Sequence, residues 1–368
     1  MERIYIGGQA VIEGVMMKNK DQYAIAVRKP DQTIETKVET YESIGERIPF
    51  FRIPIVRGVA NFIESLVIGM KTLTYSASFY EEDEEAKEDS QAEKNSTIYE
   101  YKNPNEGIQE NNQVEKMAKK GGEGILMFFS VMISVILAIG LFILLPAWIS
   151  EYIRRGIDNN VVVALLEGVI RLAIFLLYVF AISQMKDIKR VFMYHGAEHK
   201  TINCLEAGVP LTPENVMKFS RFHKRCGTSF LFLVMIISIL FFMVINVDSA
   251  VLRIVLRLLL VPVIAGVSYE VLRLAGKNDS LIIKIISAPG LWVQRMTTRE
   301  PELDMLEVSI ASVEGVLDWR AYQEALRQDE AEKAQEKAEK KHKSSEKHAS
   351  SEEEAEEAAA ENESGGIL

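Results

Sequence analysis

The sequence predicts a polytopic α-helical membrane protein, with about four transmembrane helices, a small N-terminal β unit and amphipathic helices on the cytoplasmic side. Three observations carry that reading. Hydrophobic residues fill 48% of the 368 positions and charged ones 26%, and the two kinds separate into long apolar runs and very polar stretches. Four of the apolar runs are long enough to cross about 30 Å of hydrocarbon at about 1.5 Å per residue. Lysine and arginine gather in the connections on one side of those runs.

Residues 1–80 read as the β unit followed by an amphipathic helix. Tyr23 to Val27 and Thr33 to Val38 flank Pro30-Asp31-Gln32, a turn sequence, so a hairpin is expected there. From Pro54 onward, Val56, Val59, Ile63, Leu66, Met70 and Leu73 recur every three or four residues. That spacing predicts a helix whose apolar stripe either packs on protein or lies at a bilayer surface. Met1 to Glu42 lacks the apolar run of a secretory signal, so none is expected.

Residues 81–121 read as a disordered acidic linker and 327–368 as a disordered low-complexity tail. Glu81 to Asn111 holds 11 acidic and 3 basic residues, and Asp329 to Glu363 holds 13 and 6. The whole chain carries −10, so everything outside these two segments is about +5. Its acidity therefore belongs to solvated segments with little to bury.

The membrane domain, residues 122–300, contains the four expected spans. Ile125 to Ile149 has no charge; Val161 to Ser183, Phe230 to Val247 and Val251 to Leu274 follow, the last with Arg253 and Arg257 near its outer end. Glu167 and Arg171 stand four apart inside the second span, a costly pair that either serves function or neutralises itself to pack helices. The connection between spans two and three, residues 184–229, carries Lys186, Lys189, Arg190, Lys200, Lys218, Arg221, Lys224 and Arg225. That between spans one and two offers Arg154 and Arg155. The long basic loop and both termini are thus expected in the cytoplasm. Leu281 to Val293 is interrupted by Pro289-Gly290 and reads as interfacial or re-entrant. After Pro301, residues 301–326 form an amphipathic helix through Leu303, Leu306, Ile310, Val313 and Leu317.

Three of the five histidines and both cysteines lie in the long loop. In His195-Gly196-Ala197-Glu198-His199, a helix would place both imidazoles one turn apart on one face. His223-Lys224-Arg225-Cys226 offers a second imidazole and a thiol, a set suited to zinc or another divalent metal in a reducing compartment. Glu206 falls on nearly the same face, but seven residues is about 10.5 Å along a straight helix, so it ranks below the returning segment. Two metal arrangements stay open. In one, His195, His199, His223 and Cys226 close a structural tetrahedron. In the other, three of them bind, one position stays free, and Glu198 is the general base, as in H-x-x-E-H hydrolases. Histidines merely hydrogen-bonded at an interface are the plain alternative. Arg221, Lys224 and Arg225 serve as a topology signal or hold an anionic headgroup. No Walker motif, no G-x-S-x-G and no nucleic-acid module is present, so nucleic acid is not an expected partner.

These residues resemble the YqhQ-like family of bacterial inner-membrane proteins, a group of unknown function that is sometimes labelled as predicted metal-dependent enzymes. The resemblance rests on Gly7 to Met17, on Tyr194 to Lys200, on His223 to Ser229, and on Trp292 with Gln294, Thr297, Thr298, Glu300 and Pro301. It covers roughly residues 4 to 318. It implies a bacterial cell membrane as the location and an N-terminal unit, with Gln9 and Glu13, docked beside the histidine loop. His195, Glu198, His199, His223, Cys226 and Glu13 are matched positions, which adds Glu13 to Glu198 as a candidate catalytic carboxylate. The expected function is a metal-dependent enzyme, of hydrolase type, acting at the cytoplasmic face on an amphiphilic or lipid-linked substrate, with membrane lipids as partners. The contrasting expectation is a membrane scaffold or regulator with a structural metal or none.

Overall fold

Period-two alternation builds the N-terminal unit. The structure, a computed structural model, describes residues 6–96, 129–157, 159–244, 247, 249–277, 281–329, 331–332 and 335. Strands β1 (Gly7–Val11), β2 (Gly14–Asn19), β3 (Gln22–Arg28) and β4 (Ile34–Thr40) form an antiparallel meander in the order β1-β2-β3-β4. The hairpin expected around Pro30 is β3-β4, closed by Asp31, whose carboxylate accepts from the Thr33 amide at 2.9 Å. Strands β1 and β2 were not anticipated; their turn, Ile12-Glu13, puts Glu13 at φ 49. Val15, Met17, Ala24 and Ala26 face one side of the sheet, whereas Met16, Tyr23, Ile25 and Val27 face the other. Both faces are covered.

Helix α1 (Val56–Ser96) covers the second face through Ile68, Tyr75 and Phe79. It extends sixteen residues into the stretch expected to be a linker. Glu, Lys and Ala there are good helix formers, so high charge does not end a helix that is already nucleated. The expected apolar stripe of α1 is packed on protein only at its start, where Val56 and Val59 are half-buried. Buried positions of the helix include Gly58, Ala60, Glu64, Ile68, Gly69, Thr72 and Ser76, while Ile63, Leu66, Met70 and Leu73 stay exposed. The remainder of the expected linker, residues 97–121, the first four residues of the expected first span and nearly all of the tail lie outside the described residues.

Among the described residues, four helices are long and apolar enough to cross a membrane: α2 (Phe129–Ile153), α3 (Asn160–Ile182), α6 (Gly227–Val244) and α7 (Ala250–Lys277). The expected spans are recovered within a few residues at each end. Asn159 opens α3 by accepting from the Val161 and Val162 amides at 3.0 and 3.2 Å. Between the second and third spans lie α4 (Lys186–Glu206) and the single turn α5 (Pro213–Met217). After the fourth come α8 (Leu281–Thr297) and α9 (Leu303–Glu314). The stretch expected to break at Pro289-Gly290 is instead one helix. Proline removes a single backbone donor, so the helix continues across it, and Gly290 lies close against Ser229 of α6. Helices α4 and α9 cover the first face of the sheet, joining Tyr194, Ala197, Ile202, Leu306, Ile310 and Val313 to it in the largest core.

The charge pair of the expected second span proves to be a triad. Glu167 of α3 accepts from Arg171 at 2.9 Å and from Arg257 of α7 at 2.6 and 2.8 Å. Arg171 also donates to Ser238 of α6 at 3.3 Å, and both guanidinium groups lie over the Phe242 ring. One carboxylate thus joins three spans. Removing one partner of a buried ion pair costs about 3–5 kcal/mol because a desolvated charge is left behind. Glu167→Gln is accordingly expected to lower the unfolding temperature sharply in detergent, whereas a change at exposed Leu177 leaves it unchanged.

Candidate functional site

Helix α4 carries His195 and His199 on one face, as their i, i+4 spacing requires, with ring centroids 4.4 Å apart. Each imidazole is oriented by a backbone carbonyl. His195 Nδ1 lies 2.8 Å from the Thr297 carbonyl oxygen, and His199 Nδ1 lies 2.6 Å from that of Arg221. A carbonyl has no proton to give, so both Nδ1 atoms are donors and both Nε2 atoms are turned elsewhere. Metal-ligating histidines are oriented in this way.

His195 Nε2 meets Cys226 Sγ at 3.2 Å. The thiol also contacts the Thr228 hydroxyl at 3.1 Å and accepts from the Thr228 amide at 3.4 Å. One donor atom each from His195, His199 and Cys226 lies within 4.8 Å of the other two. Burial disfavours charge on both His195 and Cys226, but their mutual attraction and hydrogen bond outweigh it. His195 rises to about 9 and the thiol falls well below its ordinary value. Cys204 behaves oppositely. It sits in the apolar core beneath α4, where burial pushes its thiol up to about 11.

Glu198 is buried, with Oε2 3.9 Å from His195 Nε2. Burial raises its pKa, and the imidazoles of His199 and His195 pull against that rise. Strand β1 covers this carboxyl at Gly8, where a Cβ would fall 2.7 Å from both Glu198 Cγ and Oε1. The N-terminal unit therefore does dock on the histidine helix, through the backbone of Gly7 and Gly8. Together these groups, with His223, Arg225 and Gly227, surround a cavity of about 270 Å³.

Two expected residues take other positions. His223 lines the cavity, but its Nε2 lies 3.6 Å from Glu206, so it is not one of the three convergent donors and the four-ligand tetrahedron is not formed. Glu206, ranked low from helix geometry, is held between His223 and Arg225, and those two lower its pKa against the effect of burial. Glu13 is a correction. Its carboxylate pairs with Arg190 and accepts from the Tyr194 hydroxyl at 3.2 Å, away from the cavity lining. The β1-β2 turn ends one helical turn before His195, and the nearest cation captures it there.

Gln294 was quoted in the resemblance without a role. Fully buried, it accepts from the His223 amide at 2.9 Å and donates to the His223 carbonyl and the Ser229 hydroxyl, each at 2.8 Å. It clamps the segment that delivers Cys226. No motif signals this, because the partners lie 71 and 65 residues earlier, in the loop before α6 and in its first turn.

The family described as a protein of unknown function, DUF1385, matches residues 53–319, which contain α1, all four spans and every convergent donor. The chain belongs to this family. The uncharacterized protein YqhQ of Bacillus subtilis (strain 168) is 34% identical over 328 residues, 86% of this chain and 94% of that relative. No solved structure matches. The family description names no activity, so the chemistry must be argued from the site.

The approach of α4 to the segment after α8 depends on Gly196, where a Cβ would stand 1.9 Å from the Arg299 carbonyl oxygen. Overpacking against backbone costs about 1–3 kcal/mol or more. Gly196→Ala is expected to destabilise the protein by that order and to release His195 from the Thr297 carbonyl. Thermal unfolding, together with faster alkylation of Cys226, measures both effects.

Proposed function

We propose that this protein is a metal-dependent enzyme of hydrolase type, acting at the cytoplasmic membrane face on an amphiphilic substrate. One observation carries the reading: two backbone carbonyls turn the Nε2 edges of His195 and His199 toward one thiol, leaving three donors within 4.8 Å of one another. The donor chemistry, two imidazoles and a thiolate, fits a zinc-type divalent cation, and three protein ligands leave a position for substrate or water. Such a cation would supply Lewis acidity at that point. Glu198, buried with its proton affinity raised, would hold and transfer the proton at Oε2, and His223 with Arg225, both held by Glu206, would form the polar rim. The cytoplasmic placement rests on the basic residues between spans two and three.

A second reading is favoured by the 3.2 Å contact of His195 Nε2 with Cys226 Sγ: a thiolate–imidazolium pair in which Cys226 is itself the nucleophile. Elemental analysis of gently purified protein separates the two. The metal reading requires one equivalent of metal in the wild type and in Glu198→Gln, and loss in His199→Ala. Wild type without stoichiometric metal overturns it.

The raised pKa of His195 adds a check on the metal-stripped protein. The imidazole must shed its proton to ligate, so apparent zinc affinity is expected to rise about tenfold per pH unit toward about 9 and level off above it. Competition with a chelator at fixed free zinc reads this dependence.

A further inference from the structure

A second cavity, about 510 Å³, lies against the first. It runs between α1 and the site-side ends of α6 and α7, and Gly227 lines both. Its walls are mainly apolar: Phe62, Leu66, Met70 and Leu73 of α1 face Phe230 and Leu231 of α6. The neighbouring strand residues separate by side. Gly8 belongs to the polar cavity and Gln9 to the apolar groove. An apolar trough thus ends at the rim of a polar, ionisable pocket.

Helix α1 is fixed along a membrane span at this level. Asn61 donates to the Tyr269 hydroxyl at 2.7 Å, and Arg57 Nε donates to Glu270 at 2.6 Å, both on the last turns of α7. The exposed stripe of α1, Leu66 at 53% and Met70 at 45%, belongs to this groove, and no part of the described protein covers it. From Phe62 to Leu73 the helix advances about 17 Å, close to half of the roughly 30 Å hydrocarbon thickness. That is the depth of one leaflet.

We propose that the groove receives the hydrocarbon chain of a membrane lipid that enters sideways from the bilayer, with its headgroup passing Gly227 into the His195–Glu198–His199–Cys226 cavity. This rests on the functional reading above and names its substrate class. The volume is within the range of ligand-binding pockets. The paired character of the two cavities, apolar trough and polar end, matches an amphiphile and not a soluble polar metabolite.

The test uses the full-length protein in nanodiscs of phosphatidylethanolamine and phosphatidylglycerol. Two probes are compared, a phospholipid with a diazirine midway along one acyl chain and one with the diazirine in its headgroup, and crosslinks are mapped by mass spectrometry. The chain probe is expected to label residues 62–73 and 230–231 severalfold above Leu137 and Leu177, exposed residues of α2 and α3 that report general lipid contact. The headgroup probe is expected to label the segments around Gly8 and residues 195–202. Ser65→Trp, an exposed groove position, is expected to abolish the enrichment while metal content is unchanged. Leu231→Trp provides a second block from the opposite wall.

Groove labelling no higher than at Leu137 and Leu177 overturns the proposal, even with full metal occupancy. Chain labelling in the groove with headgroup labelling elsewhere also overturns it, since the lipid would then be a structural one. Enriched labelling at both places in protein that holds no metal would leave the lipid site standing and remove only the metal reading. Should both tryptophan variants fail to fold, the wild-type pattern of the two probes decides alone.

Discussion

Two backbone carbonyls decide what the histidine helix can do. His195 and His199 would project from any regular α4, but their reactive edges are aimed only because Thr297 and Arg221 each accept from Nδ1. Those carbonyls come from opposite sides, one from the end of α8 and the other from the loop before α6. The site therefore exists only when the helix, the loop and the post-span segment are assembled together, which makes it a tertiary object built on local spacing.

The supports of that assembly are unequal in kind. Gln294 satisfies the buried His223 backbone through two hydrogen bonds and holds the Ser229 hydroxyl with a third, and an unsatisfied buried polar group is more expensive than a hydrogen bond is favourable. The sheet acts by shape. With α1 on one face and α4 and α9 on the other, it presents β1 over Glu198, where a strand without a side chain at Gly8 can approach the carboxyl. Deep in the spans, Glu167 ties α3 and α7 together and reaches α6 through Arg171, so the platform beneath the site is joined by charge as well as by apolar contact. Membrane helices gain little from apolar burial against one another, which makes such polar ties informative about packing.

Much of the architecture was legible because membrane spanning and helix amphipathicity are properties of contiguous segments. The four apolar runs, the α3 charge pair, the hairpin at Pro30 and the start of the helix after Pro301 follow from runs and periods, although that helix stops at Glu314 and a second one begins at residue 319 where a single one to residue 326 was expected. The readings that failed depended on non-local partners. Glu13 was a candidate only as a matched position of the resemblance, and Arg190 claims it. Pro289 looked like a break, yet the helix runs through it from Leu281 to Thr297. Glu206, ranked below the returning segment by its straight-helix distance, does stay outside the convergent donors and meets the site through His223 and Arg225.

The sequence by itself determined the apolar lengths, the side of each period and the one helical turn that pairs His195 with His199, because all of these arise from bonds and spacings within a single segment. Tertiary structure alone decided which thiol and which carboxylates meet those imidazoles, that Cys226 enters while Cys204 is buried away, and that the apolar stripe of α1 faces an open groove. Those outcomes depend on how distant segments divide a limited supply of buried space and hydrogen-bonding partners, and no local pattern encodes that division.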